Sequence, residues 1–223
     1  MDSSQILASC QLFKDIELRD LPLLLTCLQP RTVVYAKDAV ILHEGDTSKE
    51  LGILLSGAIQ IVRNDFWGNR TLVSRFTEGD LFAETIACTG EKSQVSVVAE
   101  TETTVMFLAI RKIITSCSKN CVFHNAIIEN MVAILARKNQ GLMKKMSHIT
   151  KRSTREKLLS YLSEESLKAN SRSFRIPFDR QQLADYLCVE RSAMANELSK
   201  MRSEGLLDYK KNEFTLKNRH PLD

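Results

Sequence analysis

The sequence has little of what marks disordered, fibrous or disulfide-stapled proteins. Its 223 residues include only 8 Gly and 4 Pro, too few for a collagen-like or low-complexity chain. The 6 Cys are scattered, which is typical of reduced thiols in a cytosol rather than of a disulfide framework. No basic stretch leads into an apolar run at the N-terminus, and no apolar run approaches the roughly 20 residues that a membrane span needs. These absences predict a soluble cytoplasmic protein, long enough for one or two domains with cores of their own.

Charge is distributed unevenly along the chain. Residues 1–150 carry 16 basic and 16 acidic side chains, whereas residues 151–223 carry 15 basic and 11 acidic ones. The whole net charge of +4 therefore comes from the last third. A basic segment beside a neutral one favours contact between that segment and a polyanion.

Residues 31–109 follow a pattern typical of short β-strands. Runs of β-branched and apolar residues recur about every 8 to 12 residues, with turn signals between them. The pattern predicts an antiparallel barrel, roll or sandwich, preceded by a helix over residues 15–28. The predicted strands cover residues 33–35, 40–42, 53–55, 59–62, 71–73 and 95–98. The turn signals contain Gly45, Gly57, Gly68, Gly79 and Gly90.

The period changes over residues 122–149, which are predicted to form one long helix. Along it, mostly apolar residues alternate between spacings of four and three, a heptad seam on one helix face. A core helix lying across the roll is one interpretation. Pairing with a second copy is favoured, because the seam is longer than a small roll can cover. Asn139 on the seam would then set the register of the pair. The seam residues are Ile128, Val132, Leu135, Asn139, Leu142, Met146 and Ile149.

The remaining residues predict a winged helix-turn-helix. A helix over 155–167 and a polar loop over 170–177 come first. Two short helices follow, over 180–187 with Asp179 as N-cap and from 190 or 191 to 203 with Gly205 after the end. Residues 206–216 then read as a β-hairpin. Two helices joined by a tight turn and followed by a hairpin are typical of this DNA-binding fold.

The second of these helices is predicted to read DNA. Leu183, Ala184 and Leu187 would bury the first helix against Met194, Leu198 and Met201, which leaves a short polar face that a major groove can admit. The alternative is a solvated face on an ordinary helical domain. That face comprises Arg191, Ser192, Ala195, Asn196 and Ser199.

Particular DNA contacts follow from the side-chain types. Arg191 is the predicted base reader, because a guanidinium offers two donors to guanine O6 and N7, and Asn196 could bind adenine. The remaining polar residues are predicted to position the protein on phosphates. These are Arg180, Ser192, Lys200 and Arg202, with Lys210 and Lys211 in the wing.

Both halves resemble the Crp/Fnr superfamily of bacterial transcription regulators. The roll carries a similar glycine frame, ending in the run Gly-Asp-Leu-Phe-Ala-Glu over 79–84, and residues 180–187 with Arg191-Ser192 resemble the family's helix-turn-helix. The resemblance implies an α+β protein that binds a palindromic operator in double-stranded DNA as a homodimer. Its parts would be an antiparallel β-roll sensor of the double-stranded β-helix or jelly-roll type (1–121), a dimerisation helix (122–150) and a winged helix-turn-helix (151–223). Two positions depart from the pattern. Cys188 replaces the usual turn Gly and should require a non-Gly turn geometry, and Asn196 replaces a second basic residue.

The resemblance also raises the question of an effector. Glu84 matches the residue that binds the ribose in cyclic-nucleotide-binding members. The Arg-Ser pair that binds the phosphate is absent, because those positions read Ser93-Gln94 or Gln94-Val95. A missing charge-assisted bond costs about 1.5 to 3 kcal/mol, which disfavours cyclic AMP. A small polar effector, or a vestigial site, is favoured instead. The predicted effector edge comprises Glu84, Thr85, Ser93, Gln94 and Ser96, facing Asn139 and Gln140 of the seam helix.

Alternatives to this reading remain open. A cyclic-AMP-dependent regulator is one, and a thiol redox switch through Cys88, Cys117 or Cys121 is another. Neither a metal at Cys117, Cys121 and His124 nor a haem on His43, His124 or His148 is favoured, so we expect no metal and no cofactor. A cupin-type enzyme using His43 and Glu44 is disfavoured because the His-x-His pair is missing, and no catalytic residue is predicted. RNA polymerase is a further candidate partner, and the direction of regulation would depend on contacts with it.

Overall fold

A computed structural model describes residues 3–64, 67, 70–115 and 122–217. Gly68, Cys117 and Cys121 lie outside these residues. The chain forms two compact units, residues 1–135 and 136–223, which divide within the long helix. Among the described residues, no helix has the length and apolar character needed to cross a bilayer.

The first unit contains two four-stranded antiparallel sheets, which confirms the predicted jelly-roll-like fold. One sheet has the order β1-β8-β3-β6 and the other β2-β7-β4-β5. Buried side chains of both sheets, among them Leu54, Ile59 and Val105, form a core. The strands are β1 (Arg31–Tyr35), β2 (Val40–Leu42), β3 (Glu50–Ser56), β4 (Ala58–Asn64), β5 (Arg70–Thr77), β6 (Leu81–Phe82), β7 (Ser96–Ala99) and β8 (Thr103–Ala109).

Two of these strands, β6 and β8, were not singled out by the sequence pattern. Strand β8 lies between β1 and β3 and is buried along most of its length, so it shows little of the alternation expected of a half-exposed strand. Its Val105, Phe107 and Leu108 are all buried. The tertiary position of this strand therefore hides its period.

Short helices cover the first sheet. They are α1 (Ser3–Ser9), α2 (Leu21–Leu28), α3 (Glu84–Thr89) and α4 (Ile110–Ile114), with a 3₁₀ turn at Gln11–Phe13. The predicted helix over 15–28 is wrong in its first part, because α2 begins only at Leu21. Asp15 has a left-handed φ of 62°, and Pro22 occupies the first turn of α2, where a missing N–H costs nothing.

Gly57 shows why one turn of the roll requires glycine. Its φ is +82°, a left-handed value that L side chains rarely adopt. A Cβ there would also run into the carbonyl oxygen of Glu102 and lie 2.6 Å from the hydroxyl of Thr103. The hydroxyl of Thr103 is buried and donates to the carbonyl of Ala58. The turn between β3 and β4 is thus packed directly against the backbone of residues 101–103.

The long helix α5 (Val122–Ile149) has the predicted bounds. One face, with Ile127, Met131 and Ile134, is buried in the core of the first unit. Asn130 donates hydrogen bonds to the carbonyls of Leu12 (3.1 Å) and Lys14 (2.8 Å). The core interpretation therefore applies to part of the helix, on a face adjacent to the seam.

The second unit contains the predicted winged helix-turn-helix and is called the winged unit. Its elements are α6 (Thr154–Ala169), β9 (Ser173–Arg175), α7 (Arg180–Leu187), α8 (Arg191–Ser203), β10 (Leu207–Lys210) and β11 (Glu213–Leu216). The predicted loop over 170–177 is wrong in part, because β9 pairs with β11 and makes the wing three-stranded. Phe174 is the reason: its ring stacks on Phe214, and both are buried.

Candidate nucleic-acid interface

Helix α7 begins at the predicted N-cap. Asp179 accepts a hydrogen bond from the amide of Gln182 (2.8 Å), and the Gln182 side chain accepts one from the amide of Asp179 (2.9 Å). This reciprocal capping box satisfies two amides that the helix leaves unpaired. Leu183, Ala184 and Leu187 are buried, as the sequence predicts.

The turn after α7 differs from the expectation for Cys188. A non-Gly geometry was expected, yet Cys188 has φ 51° and ψ 56°, the left-handed conformation that glycine favours. Its amide donates to the carbonyl of Asp185 (3.2 Å), and Lys157 donates to the carbonyls of Leu187 and Cys188 (both 3.3 Å). Bonds to the helix end therefore hold the turn in a conformation that costs a Cβ-bearing residue about 1–2 kcal/mol.

Glu190 directly precedes α8, and its carboxylate is the N-cap of the helix. Its Oε2 accepts from the amides of Ser192 (2.6 Å) and Ala193 (3.2 Å), and also from the Ser192 hydroxyl. These hydrogen bonds, with the Ser192 hydroxyl contributing most, hold the pKa of Glu190 below its usual value. Ser192, predicted to contact phosphate, therefore already donates its hydroxyl within the protein.

The two faces of α8 separate as the sequence predicts. Met194, Leu198 and Met201 are buried in the core of the winged unit. The hydroxyl of Ser199 donates to the carbonyl of Ala195 (3.0 Å) and lies 3.5 Å from the Tyr209 hydroxyl. The exposed residues of α8 include Arg191, Ser192, Ala195, Asn196, Ser199, Lys200 and Arg202.

Arg155 in the first turn of α6 holds α8 at two points. Its Nε donates to Glu197 (2.5 Å), and its Nη1 and Nη2 form a bidentate pair with Glu204 (both 2.8 Å). A bidentate guanidinium–carboxylate pair fixes orientation as well as distance. The Arg155 guanidinium also holds the pKa of Glu204 below its usual value. The orientation of α8 thus depends on a residue outside the helix-turn-helix.

Arg180 has a packing partner in the wing. Its guanidinium lies over the rings of Tyr209 (4.6 Å) and Phe214 (4.9 Å), and its Nη2 is buried with no hydrogen-bond partner. Burial lowers the pKa of Arg180. Arg180, which is predicted to contact phosphate, therefore also packs α7 against β10 and β11.

The basic residues in the wing and at the end of α8 divide into two kinds. Arg202 is paired with Asp208 (2.8 Å), and Lys217 lies 3.6 Å from the same carboxylate. Lys210 and Lys211 are exposed, and Lys211 has a left-handed φ of 53° at the hairpin tip. The tip of the wing thus presents a positively charged side chain on a residue whose backbone conformation is unfavourable.

Sequence reasoning missed Arg155, Lys157 and Tyr209 as supports of this surface. Arg155 contacts residues about 40 to 50 positions away, so no local pattern connects them. The N-cap role of Glu190 could have been found, because it directly precedes the predicted helix.

The predicted effector edge of the roll is made of residues that differ in exposure. Glu84 is 5% exposed at the start of α3, whereas Thr85 and Gln94 are exposed. The buried Ser93 donates its hydroxyl to the carbonyl of Val95 (2.6 Å). Ser96 accepts from the amide of Glu44 (3.0 Å). Both serine hydroxyls therefore hold the loops around them. Asn139 and Gln140 are exposed on α5 in the second unit.

The histidines and cysteines fall into separate surroundings. Nε2 of the buried His124 lies 2.8 Å from the carbonyl of Lys112, and Nδ1 of the buried His148 lies 2.8 Å from the Ser160 hydroxyl. His43 is exposed. Cys88 is exposed as a residue, but neighbouring atoms partly remove its thiol from water, which raises the pKa of the thiol. Within the described part of the chain, no three His, Cys, Asp or Glu residues are grouped as metal ligands would be.

Comparisons with known proteins agree with this geometry. Residues 32–120 match the family model of the cyclic nucleotide-binding domain, and residues 156–223 match that of the Crp-like helix-turn-helix domain. The catabolite activator protein of Thermus thermophilus is similar in structure, with a TM-score of 0.50 and 19% identity over 92% of this chain and 93% of that one. The c-di-GMP-responsive global regulator CLP of Xanthomonas campestris has a TM-score of 0.52 and 15% identity, covering 87% of this chain and 97% of that one. No curated protein is similar enough in sequence to match.

A cyclic-nucleotide-binding-like roll followed by a Crp-like helix-turn-helix defines a DNA-binding transcription regulator. The two matched family models follow one another in the chain, over residues 32–120 and 156–223. The chain belongs to the Crp/Fnr superfamily.

Proposed function

We propose that the protein binds a palindromic operator as a homodimer and places α8 of each copy in a major groove. The observation that carries this proposal is the division of α8 into a buried apolar face and an exposed polar face. Arg191 is the base reader, because it is exposed in the first turn of α8, and Asn196 lies on the same exposed face. A major groove admits one α-helix, and arginine recognises guanine through two donors.

The phosphate contacts are best assigned to Lys200, Lys210 and Lys211. These lysines are exposed, and no hydrogen bond within the protein engages their ammonium groups in the described residues. Ser192, Arg180 and Arg202 each have a partner within the winged unit. We therefore assign these three a supporting role, in which they hold the surface that the lysines bring to DNA.

The test of DNA reading is Arg191→Ala against Arg172→Ala, an exposed arginine outside α8. We expect Arg191→Ala to weaken binding to the selected operator by about 1–3 kcal/mol and to leave binding to random duplex nearly unchanged. Arg172→Ala should leave the ratio of the two affinities unchanged. Fluorescence anisotropy at fixed salt measures both. Equal losses on the two duplexes for Arg191→Ala would contradict the base-reading role.

Dimerisation through α5 is supported by exposed apolar side chains on the seam. Val132, Leu142 and Met146 are 61%, 64% and 58% exposed in the single chain. Such a stripe stabilises a parallel pair of helices by burial, with Asn139 setting the register. Leu135 contributes less to the pair because it also packs against the core of the first unit.

Charge on the seam tests the dimer. We expect Leu142→Lys to produce a monomer at micromolar concentration in sedimentation velocity. Ser147→Lys introduces the same charge at an exposed position off the seam and should remain dimeric. A dimeric Leu142→Lys protein would contradict the assignment of the seam.

The effector that we propose is a small polar molecule without a cyclic phosphate. Glu84 is a buried carboxylate beside the exposed Thr85 and Gln94, and neither Ser93 nor Gln94 supplies a cation. Binding at this edge would shift the population of orientations in which two α8 helices fit DNA. Melting and operator affinity measured across a metabolite panel test this. The panel includes cyclic AMP. If cyclic AMP raises the melting temperature of the protein, the proposal is contradicted.

A further inference from the structure

The carboxylate of Glu190 has one oxygen that the helix cap does not use. The two amides and the hydroxyl that bind Glu190 all reach Oε2. Oε1 receives none of these hydrogen bonds, and the side chain is exposed. Since a carboxylate oxygen carries two acceptor lone pairs, Oε1 can still accept hydrogen bonds from outside the protein.

The position of Glu190 also determines what the start of α8 can bind. A free helix N-terminus attracts phosphate through its amides and its dipole. Here the amides of Ser192 and Ala193 already bind a carboxylate, which repels phosphate. The first turn of the recognition helix therefore offers DNA an acceptor, next to the donors of Arg191.

Few groups on the base edges of the major groove can donate a hydrogen bond to Oε1 of Glu190. Cytosine N4 and adenine N6 are amino donors, whereas guanine O6 and thymine O4 are acceptors that a carboxylate repels. Adenine also presents its N7 acceptor beside N6, while cytosine presents the amino group alone. A carboxylate with one available oxygen thus fits cytosine best.

We propose that Glu190 is a specificity-determining residue that selects cytosine at the base pair next to the one read by Arg191. The proposal rests on the proposed function, because it requires α8 to enter the major groove. The carboxylate lowers affinity for every duplex through repulsion of phosphates and increases the preference for one base.

The test is selection from a randomised duplex library by the full-length protein and its variants. Arg191→Ala identifies the base pair that Arg191 reads. In Glu190→Ser, serine is itself a good N-cap, so the helix start is preserved while the acceptor charge is lost. We expect the cytosine preference at the neighbouring base pair to fall about tenfold, which corresponds to about 1.4 kcal/mol. Preferences elsewhere should remain, and binding to random duplex should become tighter.

Two further variants serve as controls. Glu190→Asp keeps a carboxylate at a good N-cap position and should retain the cytosine preference. Glu213→Gln removes a negative charge from the exposed wing and should change affinity without changing any base preference. Far-UV circular dichroism verifies that each variant is folded.

The outcomes separate this proposal from the proposed function. If Glu190→Ser selects the same sequence as the wild type, the role of Glu190 is refuted and DNA reading by α8 stands. If folded Glu190→Ser loses every preference together, Glu190 orients the helix and does not read a base, which also overturns the proposal. If the wild-type protein selects no sequence, the proposed function itself fails.

Discussion

The roll and the winged unit use their polar side chains differently. In the roll, Ser93 and Ser96 of the predicted effector edge hold loops of the same unit through hydrogen bonds. On α8, Arg191 and Asn196 remain exposed, and the helix is braced by Arg155 of α6 and by Asp208 of the wing. A surface that reads DNA needs exposed groups on a rigid support, whereas a roll needs tight turns between its strands. The comparison indicates that backbone conformation in the turns limits the stability of the roll. In the winged unit, contacts between side chains of different elements fix the orientation of α8.

The largest expected effect concerns the backbone fit of the roll. Gly57→Ala places a Cβ in a left-handed turn and against the Glu102 carbonyl, so we expect the roll to lose about 3 kcal/mol of stability. Hydrogen exchange of peptides from each unit measures this. Gly90→Ala is the matched control: its φ is +70° and nothing lies near the added Cβ, so we expect a loss of about 1 kcal/mol. Equal losses in both variants would show that the conformation, not the contact, decides.

The next effect concerns bracing of α8. Arg155→Ala removes every contact of the guanidinium with Glu197 and Glu204, so the winged unit should melt earlier and bind the operator several-fold more weakly, while the roll stays unchanged. Arg152→Ala, an exposed arginine just before α6, is the control.

The same clamp predicts a pH dependence. Arg155 lowers the pKa of folded Glu204, so this carboxylate contributes stability at neutral pH and loses the contribution as pH falls through its folded pKa. The difference in melting temperature between wild type and Arg155→Ala should therefore shrink in acid. A constant difference from neutral pH to pH 3 would contradict the ionic character of the clamp.

A smaller effect is expected at the helix-turn-helix turn. Cys188→Gly relieves a left-handed conformation and should stabilise the winged unit by about 1 kcal/mol in urea unfolding. Cys188→Ser keeps the Cβ and should change little. Destabilisation by glycine would mean that the thiol contributes more than the backbone costs.

The smallest effect distinguishes wing residues that support the fold from those that contact DNA phosphates. Lys211→Asn removes a charge and introduces a residue that tolerates left-handed φ, so stability should stay the same or rise slightly. Binding should show a salt slope smaller by about one unit if Lys211 contacts a phosphate. An unchanged slope would remove Lys211 from the phosphate contacts.

Periodic elements were predictable from the sequence, and elements defined by distant partners were not. The bounds of α5 and α7 followed from spacing and from the Asp179 cap, since both depend on neighbours within a few residues. Strand β9 did not, because Phe174 pairs with Phe214 across 40 positions of the chain. The helix predicted over 15–28 was wrong in its first part because the apolar pattern continues through a turn over residues 18–20, before α2 begins at Leu21.

The candidate DNA site shows the same division. The exposed face of α8 followed from the alternation of Met194, Leu198 and Met201 with polar residues, a property of one helix. The sequence did not show which basic residues are available to DNA, because Arg180 and Arg202 have partners from β10 and β11.

The sequence by itself determined the order of roll, long helix and winged helix-turn-helix, because periodicity, caps and glycine turns are local properties of the chain. Only the tertiary structure decided that Cys188 adopts a glycine-like conformation, that Arg155 braces α8 and that one Glu190 oxygen is left over from the cap. Those outcomes depend on which atoms meet after packing, and packing joins residues whose separation along the chain carries no pattern.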